Sequence, residues 1–235
     1  MAANTIKFRA YAHTYAQFER LSSGAGQIAV VFATDTGGNG NFQADFNVTP
    51  QQIHDFKSKN KNFKFFLSMG GYPFNLAPAN VAEAVNSLTD LIGSYGFDGI
   101  DVYYDQIPVP PAHFVDVMQS VIRGLKNKNP SLEVSLTVPP PLSQNHYLPL
   151  YNQVNDLVNY VIYQTYLLEH PVKDVGQLVR IVDDLPYPAG KLFAGYSFFI
   201  SDCNTVPPLI FLVACIVLLI QGRIIGISVW AASVI

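Results

Sequence analysis

The stretch Phe97-Asp98-Gly99-Ile100-Asp101-Val102-Tyr103-Tyr104-Asp105 decides the fold. Acidic and apolar residues alternate along it, and a carboxylate on a buried strand must be paired or put to use. Side chains on a β-strand point alternately to opposite faces. Asp101, Tyr103 and Asp105 therefore share one face, and Ile100, Val102 and Tyr104 share the other. A polar row backed by an apolar row suits a barrel strand, with the polar row in the lumen and the apolar row under helices. The acidic groups then stand near the C-terminal end of the strand, where barrel enzymes keep their chemistry.

Seven further strand-like runs flank this one: Ile6–Tyr11, Ile28–Thr34, Lys64–Met69, Glu133–Val138, Tyr160–Tyr166, Lys191–Phe198 and Ile224–Trp230. Their spacing averages roughly 30 residues, the length of one βα unit. Between them, Val81 to Tyr95 sets Val81, Val85, Leu88 and Ile92 on one helical face, and Phe114 to Leu125 does the same with Val117, Val121 and Leu125. Thr49-Pro50 reads as a helix cap followed by proline at the first helical position. Eight strands alternating with helices predict an α/β fold, a single (β/α)8 TIM barrel over residues 1–235. A doubly wound open sheet is the rival and is usually written with fewer strands.

Composition narrows the function. Charged residues make up 13% of the 235 and the net charge is −3, so no electrostatic footprint for nucleic acid or an anionic membrane is present. The two cysteines, Cys203 and Cys215, are too few for a disulfide framework, and the five histidines are scattered. Neither a metal site nor a cofactor is expected. The segment MAANTIKFRAYAHTY lacks a basic stretch followed by an apolar run, which points to a cytoplasmic location. The Gly-rich loop TDTGGNGNF at residues 34–42 lacks the Lys-Ser/Thr ending of a phosphate loop and reads as a loop at the barrel rim. Pro139-Pro140-Pro141 ends a strand and redirects the chain across the barrel mouth.

Leu209–Ile220 is twelve uninterrupted apolar residues, short of the roughly 20 needed to span a bilayer. A membrane anchor would also bring Arg223 into lipid, at considerable cost. The stretch reads as a helix after Pro207-Pro208, followed by a turn and the eighth strand. An outer barrel helix should carry a polar face, and this one carries none. A dimer or protein partner through this apolar helix is one expectation, and an aggregation liability is the other.

Four motifs in order give the chain its resemblance to glycoside hydrolase family 18, in the plant narbonin and class III chitinase-like branch. Ser68-Met69-Gly70-Gly71 matches S-x-G-G on the third strand, and Asp98 to Asp105 sits at the D-G-x-D-x-D-x-E signature on the fourth. Gln164-Thr165-Tyr166 resembles the sixth-strand Q-x-Y, and Gly226–Trp230 resembles the eighth-strand segment ending in the sugar-stacking tryptophan. The resemblance implies that Ser68, Gly70, Gly71, Gln164, Tyr166 and Trp230 face a chito-oligosaccharide ligand. It also implies that a final helix closing the barrel after the eighth strand is missing here.

In active members the resemblance assigns the signature glutamate as general acid, and the aspartate two residues earlier orients the substrate's acetamido group, which is itself the nucleophile. Here Asp105 stands at the glutamate position and Tyr103 at that aspartate, while Asp98 and Asp101 are retained. Aspartate draws the proton donor back by about 1.5 Å, one carbon–carbon bond. A phenol is neutral near pH 7 and cannot stabilise a developing cation as a carboxylate does. Leu167 replaces the Asn or Asp usual in the sixth-strand motif. These departures predict a catalytically degenerate chitinase-like protein serving storage or carbohydrate binding. The alternative is a weak chitinase or endo-N-acetylglucosaminidase with Asp105 as the acid.

Overall fold

The computed structural model describes residues 6–19, 26–198 and 206–230. Eight strands lie parallel around a closed barrel: β1 Lys7–Ala12, β2 Gly26–Thr34, β3 Lys64–Gly70, β4 Gly99–Tyr103, β5 Glu133–Val138, β6 Tyr160–Gln164, β7 Leu192–Ser197 and β8 Gly226–Trp230. Closure rests on β1, which pairs with β2 on one side and β8 on the other. A two-residue strand, Gln43–Ala44, runs antiparallel to the end of β2. The fold is the (β/α)8 barrel that the strand spacing predicts.

Helices α1 Tyr15–Glu19, α2 Pro50–Lys59, α3 Val81–Tyr95, α4 Pro111–Lys128, α5 Leu148–Val154, α6 Val175–Asp183 and α7 Pro208–Ile220 form the outer layer. Helix α2 begins where the sequence signals it: Thr49 Oγ1 accepts the Gln52 N–H, and the Gln52 side chain accepts the Thr49 N–H. The apolar faces of α3 and α4 are buried through Val85, Leu88 and Ile92 on one and Val117, Val121 and Leu125 on the other. After β5 the three prolines lead into one helical turn, Pro140–Leu142, and a π-helical segment, Ser143–Tyr147.

Alternation sorts the strand residues into two apolar compartments. One is a sleeve between strands and helices, built from residues such as Ile100, Val102, Val134 and Leu136. The other fills the lumen with Tyr11, Ala29, Val31, Phe66, Tyr103, Tyr160, Ile162 and Phe193.

Two boundaries differ from the sequence reading. β4 stops at Tyr103, two residues before Asp105. The hydroxyl of Tyr147 accepts the Tyr104 N–H at 2.8 Å and donates to the Tyr104 carbonyl at 2.9 Å, so that residue's backbone leaves the strand ladder. β6 ends at Gln164, and Thr165–Leu167 forms a tight turn. At the C-terminal side α7 spans Pro208–Ile220, and no described helix is long and apolar enough to cross a membrane. Arg223 follows it and donates to the carbonyls of Tyr187 and Leu185 at 2.9 and 2.6 Å, which fixes it on the end of α6. The expected absence of a closing helix concerns positions after Trp230 and lies outside the described residues.

Candidate functional site at the C-terminal mouth

Register sets the first layer of the site. Ser68 on β3, Asp101 on β4 and Ser135 on β5 are paired neighbours, so their side chains enter the lumen at one level. Asp101 is fully buried. Its Oδ1 receives Ser135 Oγ at 2.5 Å and its Oδ2 receives Ser68 Oγ at 3.0 Å. Thr137 Oγ1 stands 3.0 and 3.1 Å from the two carboxylate oxygens, and the Tyr11 hydroxyl reaches Oδ2 at 3.4 Å. Burial first, and then the Asp101 charge, raise the Tyr11 phenol well above its ordinary range.

A cation completes this layer. Arg9, on β1, is also fully buried and places Nη1 3.2 Å from Asp101 Oδ1 and 2.9 Å from Ser135 Oγ. Its Nε donates to Gln27 Oε1 at 3.0 Å, and the guanidinium lies 4.2 Å from the centre of the Phe66 ring. A buried ion pair recovers the desolvation cost of both charges only when hydrogen bonds satisfy the rest of each group. Asp101 meets that condition, whereas Arg9 Nη2 has no partner among the described residues. A guanidinium and the hydroxyls of Ser68, Ser135, Thr137 and Tyr11 thus occupy both oxygens of the Asp101 carboxylate.

The second layer, nearer the mouth, is aromatic. The Tyr103 ring packs edge-on against Tyr11 at 5.8 Å, Phe32 at 5.4 Å and Trp230 at 5.4 Å between centroids. Trp230 also meets Tyr11 at 5.3 Å and Phe32 at 6.0 Å. Such pairs add about 0.5–1.5 kcal/mol each beyond their area burial. The Tyr103 hydroxyl engages the side chains of Tyr166 and Gln164, and Gln164 Nε2 donates to the Tyr166 hydroxyl at 2.7 Å. Burial, with the nearby Asp105 charge adding to it, pushes the Tyr103 phenol far above its usual value. It stays neutral across the physiological range.

The glycines of Ser68-Met69-Gly70-Gly71 allow this layer to close. Gly70 has φ +145°, and a Cβ there would fall 1.7 Å from the Tyr103 carbonyl oxygen. Gly71 has φ +78°, and its Cβ would fall 2.7 Å from the Phe32 ring. Both positions bring backbone against lumen residues that a side chain would displace.

Four residues that the signature strand groups together thus separate. Asp101 and Tyr103 share the lumen. Asp105 is exposed at the rim beyond the strand, and no ion pair among the described residues holds it. Asp98 lies at the opposite, N-terminal end of β4, where it accepts Lys57 Nζ at 2.7 and 2.9 Å and the Phe65 N–H at 2.8 Å. The geometry makes Asp98 a brace between α2 and the barrel floor, far from the mouth. Arg9, Tyr11, Gln27, Ser135 and Thr137 are lumen residues that the motifs do not flag. The parity of β1 and β5 signals all of them but Gln27, because Arg9 and Tyr11 alternate with Phe8 and Ala10, and Ser135 and Thr137 alternate with Val134 and Leu136.

Beside the mouth, a polar cleft of about 400 Å³ lies between the loop after β2 and Tyr72, lined by Asp35, Asn39, Asn41, Gln43 and Asp45. Asp35 shapes its floor by accepting the Gly40 N–H at 2.7 Å.

The sequence pattern of glycosyl hydrolases family 18 matches residues 6–181. The chain belongs to this family. Chitinase 1 of Tulipa saxatilis subsp. bakeri is 29% identical over 213 residues, covering 83% of this chain and 66% of its own length. RuBisCO-associated protein of Glycine max is 28% identical over 214 residues, covering 79% of this chain and 75% of its own. Both are plant proteins, which sets the chain in the family's plant branch. It spans about two thirds of the tulip chitinase and three quarters of the soybean protein. Among solved structures, the family 18 chitinase from Crocus vernus superposes with a TM-score of 0.83 at 23% identity, over 96% of this chain and 92% of that one. The catalytic domain of a fern chitinase, from Peteris ryukyuensis, gives 0.82 at 24% identity, over 95% and 90%. At these identities the superpositions show the family 18 fold alone.

Proposed function

We propose that this chain is a non-hydrolytic member of glycosyl hydrolases family 18, keeping the chitinase-like barrel and serving as a storage globulin of the narbonin type. The observation that carries the reading is Tyr103. Its ring occupies the lumen against Trp230, and its hydroxyl engages Tyr166 and Gln164, so the groups the family resemblance assigns to the sugar are spent on one another. Arg9 supports the same reading by pairing with Asp101, and Asp105 supports it by offering, exposed at the rim, a carboxyl one methylene shorter than the family's glutamate. Asparagine and glutamine supply 28 of the 235 residues, which suits a nitrogen store. The low cysteine content suits a cytoplasmic setting.

The polar cleft between the loop after β2 and Tyr72 favours a second reading, a lectin-like barrel that binds N-acetylglucosamine oligomers without cleaving them. Two measurements separate these readings from residual hydrolysis. Incubation with a fluorogenic chitotrioside is expected to release no fluorophore above the blank, and turnover lost in Asp105→Asn would overturn the non-hydrolytic reading. Calorimetric titration with chitotetraose is expected to be flat for a storage protein, and a saturable isotherm would transfer the assignment to the lectin.

A further inference from the structure

The outer face of α7 is apolar along its whole length. Leu209 is 72% exposed, Leu212 53%, Val213 38%, Ile216 57% and Ile220 81%, while Phe211, Ala214, Cys215 and Leu218 pack inward. A groove of about 630 Å³ lined by Ile6, Ile220 and Ile224 continues the patch toward β1. Free side chains of this size offer roughly 200 Å² each, so the five exposed residues present on the order of 600 Å², the top of the range for a monomer's largest apolar patch.

We propose that this face is a homodimer interface in which α7 packs antiparallel against α7 of a second copy. The spacing of the exposed residues makes the helix complementary to itself. A two-fold axis crossing it between Ala214 and Cys215 sets Leu209 against the partner's Ile220 and Val213 against the partner's Ile216. Closing the two patches buries about 1,200 Å² in total, which reaches the size of a specific interface. α7 carries no charged or amide side chain, so it offers no polar mark by which a different protein would fix its register. A bilayer is a poorer occupant. The helix is about 20 Å long against a hydrocarbon core of about 30 Å, and Arg223 is held on carbonyls of Leu185 and Tyr187.

The test is the mass of the full chain in solution by light scattering at micromolar concentration, where twice the 25.9 kDa chain mass is expected. Val213→Lys and Ile216→Glu, each alone, are expected to halve that mass with the circular dichroism spectrum intact. Because Val213 faces the partner's Ile216, mixing the two variants joins a lysine to a glutamate and is expected to restore the dimer mass. A monomeric native chain would overturn the proposal. So would variants whose mass does not change, a mixture that stays monomeric, or native protein that floats with zwitterionic phosphatidylcholine vesicles while remaining monomeric without them.

Discussion

Arg9 and Asp101 meet in the middle of the barrel, Nη1 to Oδ1 at 3.2 Å, with neither side chain reaching solvent. Ninety-two residues separate them in the chain, and only barrel closure brings β1 and β4 to face each other across the lumen. Each charge of the pair meets its opposite beneath the aromatic layer.

Arg9→Met leaves that carboxylate buried and uncompensated, and a loss of about 3–5 kcal/mol is expected. Arg9→Met with Asp101→Asn removes both charges and leaves an amide whose oxygen accepts from one of Ser68 and Ser135 while its NH2 donates to the other. The double variant is expected to recover most of the loss, since an ion pair exchanged for neutral groups is often close to neutral in stability. Urea unfolding of the four-member cycle measures the coupling. A double variant as unstable as the sum of the singles would refute it.

Tyr103→Ala removes the ring that joins Tyr11, Phe32 and Trp230, with an expected loss of about 3–5 kcal/mol and an open lumen beneath Trp230. Titration with chitotriose should then give heat that the native protein does not. Tyr103→Asp with Asp105→Glu should still show no turnover of a fluorogenic chitotrioside while Arg9 holds Asp101. General-acid catalysis is worth about 10²–10⁴ in rate, so any such gain would be plain against the blank.

Asp98→Ala tests the separation of floor from mouth. Losing the acceptor of Lys57 and of the Phe65 N–H is expected to cost about 1–3 kcal/mol in urea unfolding. The intrinsic tryptophan fluorescence of Trp230 should not move, because the change lies at the other end of β4. A spectral shift would mean that the brace and the mouth are coupled.

The buried phenols predict an alkaline limit to stability. Burial pushes Tyr163 up to about 12 and raises Tyr11, Tyr103 and Tyr147 as well. A phenol raised in the folded state holds its proton more tightly there than in the unfolded chain, where its pKa is about 10. Its stabilising contribution is complete below about pH 10 and is lost as pH climbs through the folded value. The unfolding free energy from urea titration should therefore fall from about pH 10 upward, by as much as about 1.4 kcal/mol per pH unit for each such tyrosine. Tyrosinate absorbance should rise together with the loss of structure. Ionisation of these tyrosines near pH 10 in a protein that stays folded would contradict the assignment.

The barrel was legible because alternation is a local signal. Ile100 and Val102 outward with Asp101 and Tyr103 inward fixes a strand from five residues, and α3 and α4 announce themselves through helical spacing. What local pattern could not supply was the partner of Asp101, since Arg9 lies in another strand and is selected by closure of the sheet. The place of Asp105 was lost for a similar reason. Continued alternation would have kept it on the strand, but the Tyr147 hydroxyl, 43 residues downstream, takes the backbone of Tyr104 out of the ladder. The motif at Asp98 misleads in the other direction, because a signature read along a line hides that its first and last residues stand at opposite ends of a barrel.

The sleeve and the lumen draw on opposite faces of the same eight strands, and the two apolar clusters have no buried residue in common. Selection can therefore act on one without disturbing the other. A substitution in the inner lining, whether of phenol, carboxylate or guanidinium, leaves the helices outside to meet an unchanged surface. The same independence makes this barrel a vessel for engineering: its contents can be replaced layer by layer, with the outer shell as a constant reference for whether each exchange is tolerated.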